Sequence, residues 1–166
     1  MAKNTIWTVI FALVMAILQS TLLSRFALYG AVPDLALGVV VYSAYVNGMM
    51  TGQLSGFFSG VLLDFLSAAP LGLNALIRTI VGALAGLMKG TFFLDIFFLP
   101  MILCAASTIT KALMLFLLHL LFAGEVPAYS LMAPVFWIEL GLNTLSAPLL
   151  FGFLKLFHPL LVGRRD

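Results

Sequence analysis

Four charged residues lie within stretches that are otherwise apolar, and their spacing could support chemistry: Asp64, Arg78, Lys111 and Glu139. An ionised group inside a lipid bilayer is costly, so it is usually paired or faces a watery cavity. We expect two ion pairs. Asp64 and Arg78 would meet near the outer ends of successive helices; the alternative is that each simply reaches the outer interface of the membrane. Lys111 and Glu139 would lie at similar depths, about 16 and 15 Å from the outer ends of the last two long helices.

The sequence gives little support to catalysis. A proton or ion relay needs a connected series of titratable groups, and His119 is the one candidate near Lys111 and Glu139. A protease with two carboxylates would require Asp64 and Glu139 to share a site. The sequence contains no HExxH, GxSxG, phosphate-binding glycine loop or Cys/His cluster. We therefore expect no catalytic residue, no bound metal and no cofactor.

The composition places these charges in a membrane protein. Of the 166 residues, 63% are hydrophobic and 8% are charged, whereas soluble domains have roughly 25% charged residues. A hydrocarbon core about 30 Å thick takes roughly 20 helical residues per crossing, so about five to seven crossings would use the whole chain. The net charge is only +2 and the basic residues are scattered, so we expect no nucleic acid partner.

The distribution of basic residues decides how often the apolar block 35–66 crosses the membrane. As one helix, its 32 residues would be about 48 Å long, too long for a single crossing. Two crossings keep both chain ends in the cytoplasm and leave Arg25 as the one basic loop residue outside, as the positive-inside rule favours. The cytoplasmic basic residues are then Lys3, Lys89, Lys155, Arg164 and Arg165.

The sequence thus predicts an all-α polytopic membrane protein that forms a single transmembrane domain over residues 1–166. Its six predicted spans cover approximately residues 5–24, 35–50, 52–67, 72–89, 96–122 and 130–155. The outer loops would carry Asp34 and Glu125, with Asp64 as a further candidate. Because the soluble segments are too short to fold alone, any work of this protein is expected within or at the membrane.

Glycines recur every four residues along two successive predicted helices. The third helix carries Gly48, Gly52, Gly56, Gly60 and then Asp64, and the fourth carries Arg78, Gly82, Gly86 and Gly90. Small residues let membrane helices approach closely. In an antiparallel pair, Asp64 would face Arg78, while Gly60, Gly56 and Gly52 would face Gly82, Gly86 and Gly90. We predict a close hairpin. A four-residue repeat drifts about 40° per step around a helix of 3.6 residues per turn, so we do not expect perfect register over the whole length. Chance spacing of a residue that is frequent in membrane helices is the alternative.

The polar residues within the predicted spans include Gln19, Asn47 and Asn143. They could line a polar cavity that admits a small molecule. Residues of this kind in membrane proteins more often form hydrogen bonds between helices.

One stretch is similar to a known family. Residues 52–72 read GQLSGFFSGVLLDFLSAAPLG, and Pro33, Asp34 and Leu35 open the second predicted helix. This pattern resembles the bacterial rod shape-determining family MreD, specifically between about Pro33 and Gly90. Chain length, six spans and a basic tail agree with the family.

The resemblance implies a non-enzymatic subunit of the machinery that builds lateral peptidoglycan, located in the bacterial cytoplasmic (inner) membrane. The partners it implies are membrane lipid, the bitopic protein MreC, the actin-like MreB, the glycosyltransferase RodA and a class B penicillin-binding protein. The family is also similar in fold to the S components of energy-coupling-factor vitamin transporters. That similarity supplies the alternative function, capture of a small-molecule substrate for transport. The roles of Lys111 and Glu139 rest on their depth alone.

Overall fold

The chain is all-α in the part that the structure describes. The computed structural model describes residues 2–67, 69–90, 97–122, 126 and 129–162. Glu125, Arg164 and Arg165, whose locations were predicted above, lie outside the described residues. Seven α-helices follow one another: α1 Ala2–Thr21, α2 Leu35–Asn47, α3 Met49–Leu66, α4 Leu73–Leu87, α5 Phe98–Leu121, α6 Pro134–Leu156 and α7 His158–Leu161.

Helix length separates two groups. Among the described residues, α1, α5 and α6, of 20, 24 and 23 residues, are long and apolar enough to cross a membrane. The apolar helices α2 and α4 have only 13 and 15 residues and rise about 20 and 22 Å, less than the ~30 Å hydrocarbon core. The second predicted span ends three residues early, at Asn47, and α3 begins at Met49 instead of residue 52.

A single glycine divides the long apolar block. Gly48 has a φ of +103°, a conformation that residues with a side chain rarely adopt. Its N–H donates to the Ala44 carbonyl at the end of α2, and its carbonyl accepts from the Gly52 N–H in α3. The chain therefore reverses at Gly48, and α2 and α3 are two antiparallel helices, not one long one.

Helices α3 and α4 touch through their backbones. A Cβ atom on Gly52 would overlap the carbonyl of Gly82, a Cβ on Gly82 would overlap the carbonyl of Gly52, and a Cβ on Gly56 would overlap the carbonyl of Arg78. Backbones can approach this closely only where glycine leaves no side chain between them. Such close approach favours the pair, because membrane helices associate through van der Waals packing.

The register of this hairpin differs from the sequence prediction by eight residues. Gly52 faces Gly82 instead of Gly90, and Gly56 faces Arg78 instead of Gly86. Gly60 lies against Asn74 and Ala75 instead of Gly82, and Gly86 lies against Met49 and Gly48. Gly90 has a φ of +75° after the end of α4 and meets no neighbour within 4 Å.

Asp64 sets the observed register. Its carboxylate accepts hydrogen bonds from the backbone N–H groups of Gly72, Asn74 and Ala75 at 2.9, 2.9 and 3.2 Å, and from the Asn74 side chain at 3.0 Å. The first N–H groups of a helix have no partner within it, and its N-terminus favours a negative charge. Asp64 on α3 therefore caps α4 and draws its first turn alongside.

Helix α2 lies at the centre of the bundle. All residues from Ala36 to Ala44 are buried, whereas the outer faces of the other helices carry exposed leucines such as Leu145 and Leu149, at 69% and 78% exposure. The interior holds Arg78, Asp64 and Glu139 at 4%, 3% and 7%. An apolar outside around a charged inside suits a lipid surrounding. This is a membrane protein with several membrane-spanning helices.

Both ends of the described chain meet at one end of the bundle, here named the α7 end. Asn4 on α1 donates to the Asn47 side chain at 3.1 Å, and Asn47 donates to the Leu161 carbonyl on α7 at 2.8 Å. Lys89, just after α4, donates to the Asn47 carbonyl at 3.1 Å. The opposite end carries the α3–α4 turn and Arg25, which follows α1.

The glycine contacts generate the first testable prediction. Gly56→Ala forces a methyl group into the α4 backbone and should lower the free energy of unfolding by about 1–3 kcal/mol. Gly141→Ala is the matched control, because a Cβ at Gly141 meets nothing within 4 Å and alanine favours a helix. Reversible unfolding in mixed detergent and SDS measures both. Equal stability of the two variants would contradict the close hairpin.

Candidate functional site: a buried ionic network

Four charged side chains and one tyrosine form a continuous series, here named the ionic network. Arg78 Nη2 lies 2.8 Å from Asp34 Oδ1, Lys111 Nζ lies 3.0 Å from Asp34 Oδ2, and Lys111 Nζ lies 2.6 Å from Glu139 Oε1. The Tyr129 hydroxyl donates to Glu139 Oε2 at 2.8 Å. The network therefore links α4, the start of α2, α5, α6 and the segment before α6.

The network is buried and has no net charge. The side chains of Arg78, Asp34 and Glu139 are 5%, 9% and 9% exposed, and that of Lys111 is 21% exposed. The charges of its two cations and two anions sum to zero. Removing ions from water costs several kcal/mol each, which close pairing and further hydrogen bonds offset. Arg78 Nη1 is the one buried side-chain nitrogen or oxygen of the described residues that has no hydrogen-bond partner.

Asp34 is the junction of the network because it also starts a helix. Its Oδ1 accepts from the Leu37 N–H at 2.9 Å, which makes it the N-cap of α2. Its own N–H donates to Asn143 Oδ1 on α6 at 2.7 Å. The sequence prediction placed Asp34 in an outer loop. The structure buries it, because its carboxylate satisfies the start of α2 and two cations together.

The pairing of Asp64, Arg78, Lys111 and Glu139 therefore differs in part from the pairing predicted from the sequence. Lys111 and Glu139 are in direct contact, at the similar depths from which the pair was inferred. The predicted pair of Asp64 with Arg78 is wrong: Arg78 binds Asp34, and Asp64 caps α4. The glycine register and the position of both residues near the outer ends of their helices suggested that pair. In the structure, the free N–H groups at the start of α4 bind the Asp64 carboxylate instead.

Asn143 extends the network by hydrogen bonds within the bundle. Its side-chain nitrogen donates to Thr108 Oγ1 at 2.9 Å, and Thr108 Oγ1 donates to the Cys104 carbonyl at 2.8 Å. Gln19 accepts from the Ala36 N–H at 3.3 Å, close to the same end of α2. Asn143 thus joins α6 to α5 and to the start of α2.

The predicted polar cavity does not form as one site. Asn47 lies at the α7 end, 11 residues or about 16 Å along α2 from Ala36, beside which Gln19 lies. It binds Asn4 and Leu161 there. Gln19, Asn47 and Asn143 therefore serve as hydrogen-bonding residues between elements at two different depths.

No catalytic or metal arrangement emerges among the residues described. His119 Nδ1 lies 2.8 Å from the Val126 carbonyl, outside the ionic network. Asp64 and Glu139 have separate partners and share no site. No group of three or more His, Cys, Asp or Glu residues in the described ranges could hold a metal ion.

Tyr129 closes the network on the side of the α5–α6 connection. Burial raises the pKa of its hydroxyl, and the hydrogen bond to Glu139 raises it further. The hydroxyl therefore remains protonated near neutral pH and donates to the carboxylate. Neither Tyr129 nor the role of Asp34 was predicted from the sequence. For Asp34 a signal existed, since an aspartate immediately before an apolar helix favours an N-cap.

An all-α bundle with several membrane-spanning helices and internally paired charges defines a polytopic helical membrane protein. Comparison with known families identifies the family within this class. The sequence model of the family described as rod shape-determining protein MreD matches residues 1–157. The chain belongs to the MreD family, which confirms the resemblance predicted from residues 33–90 and extends it to nearly the whole chain.

Membership in the MreD family defines the general role of this protein. MreD proteins are non-enzymatic membrane proteins that act in rod-shape determination, within the machinery of cell-wall elongation. The expectation that this chain is not an enzyme is therefore confirmed by its family. Searches among curated proteins and among solved structures returned no significant match.

The ionic network generates the second prediction. Asp34→Asn leaves Arg78 and Lys111 with only one anion, so it should lower the free energy of unfolding by about 3–5 kcal/mol. Double-mutant cycles with Arg78→Met measure the pairing directly. The Asp34–Arg78 coupling should reach about 1–3 kcal/mol, and the Asp64–Arg78 coupling should stay within about 0.5 kcal/mol of zero. A larger coupling for Asp64 would contradict the observed pairing.

Proposed function

We propose that this protein is a membrane scaffold of the cell-wall elongation complex, which binds MreC and helps position the peptidoglycan synthases. One observation carries the proposal: the buried charges bind each other in a neutral network that ties four helices together. Such a network stabilises one arrangement of helices. A defined and rigid shape is what a protein needs when its output is the placement of other proteins.

The charge distribution supports an orientation with both chain ends in the cytoplasm. Lys3, Lys89 and Lys155 are exposed at the α7 end or at the helix ends that reach it, whereas Arg25 is exposed at the opposite end. Cytoplasmic loops of membrane proteins carry the excess of lysine and arginine. The α7 end is then cytoplasmic, and the ionic network lies in the outer half of the membrane.

A groove between α1 and α3 is the proposed seat of the single transmembrane helix of MreC. The groove has a volume of about 470 Å³, and Thr5 is the one polar residue in its lining. On α1 it extends from Ala2 to Ile10, about 12 Å, and on α3 it is bordered by Leu54, Phe58 and Leu62. A concave apolar surface at membrane depth offers a helix more van der Waals contact than a convex one.

The scaffold would act by orientation. A helix seated between α1 and α3 takes its tilt from them, and α3 is locked to α4 through the glycine contacts. The extracytoplasmic domain of MreC would then face RodA and the class B penicillin-binding protein in a fixed direction, with MreB on the cytoplasmic side. An apolar groove suits such a helix and does not suit the water-soluble substrate of an S component.

Blocking the groove tests this proposal. Ile10→Trp and Leu54→Trp each place a large side chain in the groove, so MreC recovered with the purified protein should fall at least about tenfold, a cost of about 1.4 kcal/mol. Both residues are partly exposed, at 43% and 40%, so the bundle itself should tolerate the change. Quantitative co-purification from membranes of a rod-shaped host measures the effect.

Leu145→Trp is the matched control, because Leu145 is 69% exposed on α6 and does not line the groove. It should retain MreC and rod shape. If the groove variants reach wild-type levels in the membrane and still retain MreC, the partner helix binds elsewhere.

A further inference from the structure

The connection that follows α1, here named the α1–α2 loop (residues 22–30), presents apolar side chains outside the bundle. All of its residues except Leu23 are exposed. Phe26, Leu28 and Tyr29 are 82%, 54% and 85% exposed, and the chain enters the interior again at Ala31, which is 3% exposed. Large apolar side chains that are exposed next to one another indicate contact with a partner or a membrane.

The α1–α2 loop lies at the level of a membrane surface. Helix α1 has 20 residues and rises about 30 Å, which equals the thickness of the hydrocarbon core. Lys3 is exposed at the first end of α1, so Thr21 lies at the opposite membrane surface. The loop follows Thr21 directly, with a short 3₁₀ turn at Leu23–Phe26. Its side chains therefore lie where hydrocarbon meets headgroups, and tyrosine is enriched at this depth.

The backbone at the tip of the loop fixes Tyr29 in its exposed position. The Leu28 N–H donates to the Ala31 carbonyl at 3.2 Å, and the Ala31 N–H donates to the Leu28 carbonyl at 2.9 Å. The two residues between them, Tyr29 and Gly30, have φ values of +51° and +83°. Glycine adopts such a φ readily, whereas for a bulky residue it is an outlier that costs about 1–3 kcal/mol. Strain of this kind clusters at binding sites.

Arg25 adds a positive charge to this apolar surface. It is exposed and directly precedes Phe26, and it forms no ion pair with a carboxylate of the residues that the structure describes. A guanidinium group presents a planar set of donors that matches the oxygens of a phosphate. Phospholipids carry a phosphate at the depth at which the loop lies.

We propose that the α1–α2 loop is a phospholipid-binding surface, in which Arg25 binds the phosphate of an anionic lipid and the rings of Phe26 and Tyr29 insert beside it. A lipid is favoured over a protein partner because α1 ends at headgroup depth. The proposal needs only that α1 spans the membrane and does not depend on the groove for MreC. With the orientation proposed above, the lipid belongs to the outer leaflet.

Quenching of a tryptophan in the loop by brominated lipid tests this proposal. Tyr29→Trp is combined with Trp7→Phe and Trp137→Phe, which remove both native tryptophans. The protein is reconstituted in phosphatidylcholine vesicles that contain brominated phosphatidylglycerol or, at the same mole fraction, brominated phosphatidylcholine. Both lipids should quench, and the anionic one should be enriched beside the probe about fivefold, equivalent to about 1 kcal/mol for one arginine near anionic lipid.

The charge of Arg25 should carry this preference. Arg25→Gln should make quenching by the two brominated lipids equal, whereas Arg25→Lys should retain most of the difference. The matched control is Trp7→Phe alone, which leaves Trp137 at the start of α6 as the probe, and the two lipids should quench it equally. Phe26→Trp repeats the measurement at a loop position without a positive φ.

Two results would overturn the proposal. If aqueous iodide quenches the loop probes and brominated lipid does not, the loop faces water and is left as a surface for a protein partner. If both lipids quench equally and Arg25→Gln changes nothing, Arg25 binds no lipid phosphate.

Discussion

The carboxylate of Asp34 meets three demands at once. It caps the first turn of α2, binds Arg78 on α4 and binds Lys111 on α5. In the hydrocarbon region an unsatisfied N–H group costs several kcal/mol, and an unpaired ion costs more. Each of the three partners would be unfavourable alone at this depth. Asp34 satisfies all three at one point, and this brings α2, α4 and α5 together there.

The same constraint explains why the two short helices begin where they do. Helices α2 and α4 rise less than the hydrocarbon thickness, so their first N–H groups lie where water is scarce. Each start has a carboxylate: Asp34 belongs to α2 itself, and Asp64 reaches α4 from α3. Gly72, with a φ of +95° and no side chain, precedes α4 and cannot cap it. The acid on the neighbouring helix replaces that cap and fixes the α3–α4 register.

These two caps mark the limit of prediction from the sequence. The helical class, the reversal within residues 35–66 and the close approach of α3 and α4 follow from composition, charge distribution and glycine spacing. The contact of Lys111 with Glu139 could be anticipated because both lie on long helices with recognisable ends. The pair of Asp64 with Arg78 could not be excluded in the same way. Whether a carboxylate binds a cation or the free N–H groups at the start of a helix depends on their relative positions in the folded protein, which the sequence does not show.

The network also bears on how a scaffold can transmit an orientation. Residues 2–90 contribute Arg78 and Asp34, while α5 and α6 contribute Lys111 and Glu139. The contact between Asp34 and Lys111 therefore joins the α5–α6 pair to the first four helices. Moving the α5–α6 pair away from α2 would separate Lys111 from Asp34 and leave a buried charge without its partner, which is strongly destabilising. The contact therefore favours the observed position of α5 beside the start of α2. A partner helix bound to one part would then have a fixed relation to a partner bound to the other.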